Sequence, residues 1–448
     1  MTTDEADALL NDPGHFTKAV TDLGERQPLR ATRAIYNEQG IKIAEQGAAV
    51  NARLYQRLLQ HRLSAPLEES VAGADPVDAA QLREQAELQL LQVPLLARMA
   101  QDGKARAQLL DAVAKVPLPQ ALAFQLTLAR ELRHDSFVNA VRTALIAAWL
   151  SLTPTTLRFD MGLAAAAGLL HDVGMLHLDP VLLEPRRSLS SGQQRQLYSH
   201  PLVSTLLLER YPQYPGEVLR AVAEHHEFLD GSGYPRALAG EQISPLGRVL
   251  ALAEVAAAML SPQQEAAEMR LSVLLRMNAQ RFDAGLVARV LALLRPHQDR
   301  AGSAADSLLL DNPVALLCEI DDTLAEWPHE VLHAAGLAPQ RRAGLAALGE
   351  HSAQLQRTLA NVGAARAQLE QLGAAQVDPL LSMELSLLAR ESAWQLRAMT
   401  RQARRRWRAE PQADDLPGAL HDWLARAEAM VAQGLGLPAG HSAQAALA

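Results

Sequence analysis

Along most of the chain, apolar residues recur three or four apart, and the runs break at prolines and glycines. This pattern predicts helices over Leu82–Met99, kinked at Pro94, over Ala105–Val116, ended by Pro117 and Pro119, and over Phe137–Leu152, ended by Pro154. Further helices are expected over Ser190–Arg210, Pro215–His226, Pro245–Leu260 and Ser272–Leu294. Leu163–Leu170 is almost wholly apolar, which predicts a short helix buried all round. The N-terminal part reads differently. There Ile35 and Tyr36 precede Asn37-Glu38-Gln39-Gly40, and Ile41 alternates with Ile43, the pattern of two short strands joined by a turn. Gly47 is expected to end the second strand, and a helix from Asn51 to His61 to follow. Polar Glu68–Pro76 and DRAGSAADS, from Asp299 to Ser307, read as linkers. Beyond the second linker, Leu355, Leu359, Val362 and Leu369 form a heptad-like stripe interrupted by Arg366. A helical hairpin packing on itself is the first expectation for that stripe, and a homodimer interface the alternative.

The elements predict a mainly α chain in four parts. These are a small N-terminal α+β (β-hairpin) domain at 1–70, a helical connector at 77–124, a helical bundle at 125–298 and a helical C-terminal domain at 308–448. Composition agrees: 49% of residues are apolar but only 4% aromatic, so the cores must be built of Leu, Ala and Val. A formal net charge of −8 gives no reason to expect nucleic acid as a partner. The one cysteine, Cys318, excludes an internal disulfide framework. MTTDEADALLND is acidic and lacks the apolar stretch of a secretory signal, and no apolar run suffices to span a bilayer. A cytoplasmic protein that does not engage membranes is therefore expected. Arg401, Arg404, Arg405, Arg406 and Arg408, around Trp407, read as a solvated helix face.

The chemistry concentrates at helix ends in the bundle. His171-Asp172 follows the apolar helix directly, His200 precedes the next run, and His225-His226 end another just before the glycine-rich FLDGSGYP. Imidazole and carboxylate together are the ligands of iron, manganese and zinc. Neighbours on a helix point about 100° apart, so His225 and His226 are expected to reach different ions of a pair about 3.5–4 Å apart. Asp172 could bridge such ions with its two oxygens. Water between them loses a proton near neutral pH and becomes a nucleophile suited to in-line attack on phosphorus.

Taken together, HDVG, SHP, HHE, DGSGYP and PLGRVLALAE resemble, in order and close to the spacing, the HD-GYP family of cyclic di-GMP phosphodiesterases. The resemblance covers about Leu126 to Leu294 and includes Arg248. It implies an HD-GYP-like helical bundle with two or three divalent ions, iron or manganese. His171, Asp172, His200, His225, His226 and Glu254 would be the ligands, with His171 and Asp172 at the catalytic centre. It further implies that Asp230, Gly231, Gly233, Tyr234 and Pro235 form a loop that shapes access for cyclic di-GMP or a related nucleotide and contacts GGDEF-domain partners. The chain departs from the family at several places. Asn139 stands where a histidine ligand is usual, with Asp135 one turn earlier as a replacement. Met175 stands where the family has lysine, and His177 where it usually has glycine. Glu254 replaces aspartate, and no basic residue follows Ser261 until Arg270. Two functions fit: a phosphodiesterase giving a linear dinucleotide or GMP, or a degenerate signalling module that binds nucleotide or a GGDEF partner without turnover.

Overall fold

The computed structural model describes residues 13–73, 75–152, 161–184, 189–261, 264–295, 309–333, 339–372, 378–408 and 418–435. The N-terminal dozen residues, the break at Pro154, the linker Asp299–Ser307 and the side chains at 405–408 lie outside the described residues. Residues up to 261 together with 280–293 form one compact unit, and 264–279 together with those from 294 onward form a second.

The first unit opens with α1 (Pro13–Arg26), β1 (Arg30–Ala31), β2 (Ile35–Tyr36), β3 (Lys42–Ala44) and α2 (Ala52–Leu58). The hairpin forms as the sequence predicts, with Ile35 opposite Ala44 and Tyr36 opposite Lys42. Its turn is built by Asn37, whose side-chain oxygen accepts the Gln39 and Ile41 amides, and by Gly40 at φ +77°. Asn51 caps α2 by accepting the Leu54 amide. The stretch from Glu68 is not the free linker expected. A 3-10 turn at Leu67–Glu69 leads into β4 (Val71–Ala72), which pairs antiparallel with β1. Val71 is fully buried there, and Glu68 is buried with Arg210 at 3.6 Å. Polarity hid this element, because a two-residue strand has no period to read.

The rest of the unit is helical: α3 (Ala79–Gln92), α4 (Pro94–Met99), α5 (Gly103–Ala114), α6 (Gln120–Leu132), α7 (His134–Ser151), α8 (Met161–Leu170), α9 (Ser191–Leu197), α10 (His200–Glu209), α11 (Gly216–Glu224), α12 (Pro245–Met259) and α14 (Ala284–Leu293). Three helical runs are divided, the first of them at the kink expected at Pro94. Pro94 cannot donate a backbone hydrogen bond, so the chain turns at Val93 and restarts. Pro201 has the same effect after Tyr198 and Ser199. Asn278 ends the third run, its amide donating to the Leu274 carbonyl, and Asp283 restarts it by accepting the Leu286 amide.

Helices α7 and α8 carry the bundle. Ala164 through Leu170 are buried, as the apolar run predicts. Helices α7 and α8 pack tightly at Gly168, where an added Cβ would lie 2.6 Å from the Ala144 Cα. The N-terminal elements are not an isolated core. Phe16, Val20 and Ile35 share a buried cluster with Phe124 and Leu128 of α6 and with Leu176, four residues past Asp172. The expected edges at 70/77 and 124/125 thus fall inside one compact unit.

The second unit contains α13 (Ala267–Met277), α15 (Pro313–Ala325), α16 (Pro339–Asn361), α17 (Arg366–Leu372), α18 (Pro379–Arg408) and α19 (Gly418–Gly434). Met269, Val273 and Met277 of α13 are buried in its core, so α13 belongs here although its sequence adjoins the bundle. Leu355, Leu359 and Leu369 of the heptad-like stripe lie in the same core. Trp423 anchors it, edge-on to Trp327 at 5.0 Å and donating from Nε1 to the Thr323 carbonyl at 2.7 Å.

Gly168→Ala forces α8 away from α7. The expected outcome is a loss of roughly 1–3 kcal/mol of stability, read as a lower thermal midpoint. An unchanged midpoint would show that the helices have room to separate.

Candidate metal centre

Three of the ligand-type histidines sit where a helix stops, whereas Glu254 lies within α12. His171 follows α8, His200 follows the turn that closes α9, and His225 is the C-cap of α11. The last carbonyls of a helix have no partner within it. Here the imidazoles fill that role. His171 donates from Nδ1 to the Gly168 carbonyl at 2.8 Å, His200 to Leu197 at 2.8 Å and His225 to Val222 at 2.6 Å. A carbonyl only accepts, so Nδ1 carries the proton in all three rings and Nε2 carries the lone pair.

The His200 and His225 lone pairs converge, and His226 Nε2 joins them. His200 Nε2 lies 3.1 Å from His225 Nε2 and 3.0 Å from His226 Nε2. Neutral imidazoles facing one another through lone pairs repel unless a cation sits between them. Burial holds His225 and His226 well below the ordinary histidine value, helped by the neighbouring rings, and burial also lowers His200. The rings are thus neutral, the form that binds metal. His171 Nε2, Asp172 Oδ1 and Glu254 Oε2 are buried without a hydrogen-bond partner. Two donor groups result: His200, His225 and His226 form one, and His171, His225 and Glu254 the other. Asp172 stands beside both. Its Oδ1 lies 3.2 Å from His200 Nε2 and 3.7 Å from His225 Nε2, while Oδ2 lies 3.4 Å from His171 Nε2. Burial works to raise the Asp172 carboxyl, but His171, His200, His225 and Arg133 together bring it below its ordinary value. Glu254 is pushed well above the usual carboxylate range by burial and then by Asp172. Buried orphan oxygens and converging lone pairs fit a divalent cation in each group.

The adjacent histidines do not diverge as a helix would make them. His225 ends α11 and the chain leaves the helix at His226, so the 100° step does not apply. The two rings lie 4.2 Å apart, and both reach the His200 group. His225 alone is shared between the groups. Neither Asn139, half-buried on α7, nor Asp135, exposed one turn before it, enters either group. His177 stacks on Phe16 at 4.5 Å with both ring nitrogens unpartnered, its pKa pushed down to about 3 by burial and then by Arg210.

The close fit of the HD turn depends on Gly174. A Cβ there would lie 2.6 Å from the Ser204 amide and 2.7 Å from the His200 carbonyl. Its own amide donates to Ser204 Oγ at 2.9 Å, which ties the Asp172 turn to α10. The loop from Asp230 is fixed in a similar way. Asp230 Oδ1 accepts the Ser232 amide at 2.9 Å, Gly231 adopts φ +75°, and a Cβ on Gly233 would strike the His226 carbonyl at 2.4 Å. The Tyr234–Pro235 peptide is cis. Tyr234 stacks between Tyr198, at 4.0 Å, and His226, at 4.5 Å. Burial, then Glu254 and Asp172, hold its hydroxyl well above the ordinary tyrosine value, so it remains an O–H donor.

Sequence reasoning assigned no part to Glu227, Tyr198 or Arg133. Glu227 accepts the Arg236 amide at 2.7 Å and the Leu238 amide at 2.9 Å, holding the far side of the loop. Its place in HHE was the available signal. Tyr198, an aromatic two residues before His200, offered only proximity. Arg133 donates to the Met175 carbonyl at 3.0 Å, across a sequence distance that no local pattern bridges.

Part of the chain is similar to known proteins. Residues 142–286 match the HD domain family, a span that holds all five grouped side chains and Asp172 and begins after Asp135 and Asn139. The chain is 34% identical over 175 residues to a cyclic di-GMP phosphodiesterase of Pseudomonas aeruginosa, covering 37% of this chain and 41% of that protein. It is 39% identical over 101 residues to the cyclic di-GMP phosphodiesterase response regulator RpfG of Xanthomonas campestris pv. campestris, covering 22% and 26%. It is 33% identical over 117 residues to 3'3'-cGAMP-specific phosphodiesterase 3 of Vibrio cholerae, covering 26% and 24%. The chain thus spans about a quarter to two-fifths of the length of these curated relatives. This region is an HD domain, and with its DGSGYP loop it is a member of the HD-GYP family.

Glu227→Gln leaves one acceptor for two backbone amides. Hydrogen exchange at Arg236 and Leu238 is expected to speed up about tenfold, the effect of one net hydrogen bond. Unchanged exchange would mean that the glycine contacts alone hold the loop.

Proposed function

We propose that the HD domain hydrolyses a phosphodiester of a cyclic dinucleotide, cyclic di-GMP, to a linear product. The observation that carries this reading is the pair of donor groups sharing His225, with Asp172 reaching toward both. His171, His225 and Glu254 would hold one ion, and His200, His225 and His226 the other, with Asp172 bridging. Iron or manganese suits this mixed imidazole and carboxylate set. Bound there, two ions supply Lewis acidity to the phosphate oxygens and acidify a water for in-line attack. The chain's own part is positional. The Nδ1 bonds to helix-end carbonyls keep the imidazoles in one tautomer and aim. Tyr234, stacked on Tyr198 and His226, closes one side of the site and offers an O–H donor.

Relatives named for cyclic di-GMP and for 3'3'-cGAMP both support a cyclic dinucleotide. The loop Asp230–Pro235 is the proposed contact for GGDEF-domain partners. The parts at 1–70, 77–124 and 308–448 are proposed as regulatory surroundings of the HD domain. No described helix is long and apolar enough to cross a membrane.

The test is turnover of cyclic di-GMP and 3'3'-cGAMP by anaerobically prepared full-length protein with Mn(II) or Fe(II). Linear product is expected from cyclic di-GMP, with Asp172→Asn reducing the rate about a hundredfold or more. Stoichiometric metal with no turnover of either nucleotide would replace this reading with the degenerate signalling module.

A further inference from the structure

Resting on the phosphodiesterase reading, we propose that Arg133 is a phosphate-binding residue of this site, its guanidinium gripping a non-bridging oxygen of the substrate phosphate beside Asp172. Arg133 stands at the junction of α6 and α7, its amide closing α6 on the Ala129 carbonyl. Its side chain crosses to the HD turn, where Nη1 donates to the Met175 carbonyl at 3.0 Å. The Met175 amide in turn donates to the Asp172 carbonyl at 2.9 Å. One tight turn therefore carries both the carbonyl that holds the guanidinium and Asp172, whose carboxylate faces both donor groups.

Arg133 has donors to spare. A guanidinium carries five N–H groups. Among the described residues, the Met175 carbonyl is the one hydrogen-bond partner of the Arg133 guanidinium, and no carboxylate forms an ion pair with it. Burial disfavours its charge, and Asp172 is the group that supports it. The other arginines around the loop are committed. Arg220 and Arg236 pair with Glu224. Arg248 donates to the Ile243 and Gly240 carbonyls. Arg281 lies 3.6 Å from Asp230 and over the Phe228 ring. A half-buried guanidinium with unused donors beside a metal-type carboxylate matches an anionic phosphate, which accepts paired N–H bonds from the Arg fork.

The test uses full-length protein loaded with Mn(II), with inorganic phosphate as the probe. Arg133→Gln is expected to weaken phosphate binding at least tenfold by calorimetry, and to raise KM for cyclic di-GMP, at unchanged metal content and thermal midpoint. Arg133→Lys is expected to recover part of the affinity. Phenylglyoxal labelling of the wild-type protein, read by peptide mass spectrometry, supplies a check that needs no variant: phosphate should protect Arg133. Unchanged phosphate affinity in Arg133→Gln, equal labelling with and without phosphate, or no phosphate binding by the wild type each overturns the proposal. Phosphate binding that depends on Arg133, without turnover of any cyclic dinucleotide, would keep the anion site and discard the phosphodiesterase reading.

Discussion

The site depends on one repeated contact, an imidazole Nδ1–H donating to the carbonyl three residues earlier at the end of a helix. His171, His200 and His225 each make it. The contact satisfies a carbonyl that the helix leaves open. It fixes the tautomer, and it turns Nε2 outward from the helix end. Because α8, α9 and α11 stop close together, three outward Nε2 atoms meet. The helix ends are held there by tight packing, at Gly168 between α8 and α7 and at Gly174 between the HD turn and α10. The bundle's close packing and the chemistry of the site are therefore one arrangement.

The two donor groups are unequal. His225 is fully buried and belongs to both, whereas His226 retains some exposure, belongs to one and has Tyr234 stacked on its ring. The group that includes His226 therefore lies nearer the loop. The carboxylates differ as well. Asp172, surrounded by imidazoles, stays ionised, while burial and Asp172 itself favour the protonated form of Glu254. A divalent cation would reverse that preference by stabilising the carboxylate, so metal binding at the second group should release a proton.

Much of this was legible in the sequence. Asn37 and Gly40 signalled the hairpin because a tight turn needs just those side-chain and φ properties. The apolar run before His171 signalled a buried helix, and ligand-type residues at successive helix ends signalled a metal site. What was hidden has physical causes. The β1–β4 pair is too short to show a period. The interruptions near Tyr198 and Asn278 are local cap and proline effects inside continuous apolar patterns. Helix α13 joins the second unit through Met269, Val273 and Met277, and apolar spacing does not say which core a face will meet. The convergence of His225 and His226 was missed because helical geometry was assumed one residue too far. Arg133 was missed because its contact with Met175 spans the whole of α7 and α8.

The central claim is that His225 is common to two metal positions and His226 serves one. The most direct measurement is metal content per chain in anaerobically purified wild-type, His226→Ala and His225→Ala proteins, each checked for native thermal unfolding. The account predicts two ions per chain in the wild type, one in His226→Ala and none in His225→Ala. A wild-type protein without metal, or a His225→Ala variant that keeps two ions, would contradict it.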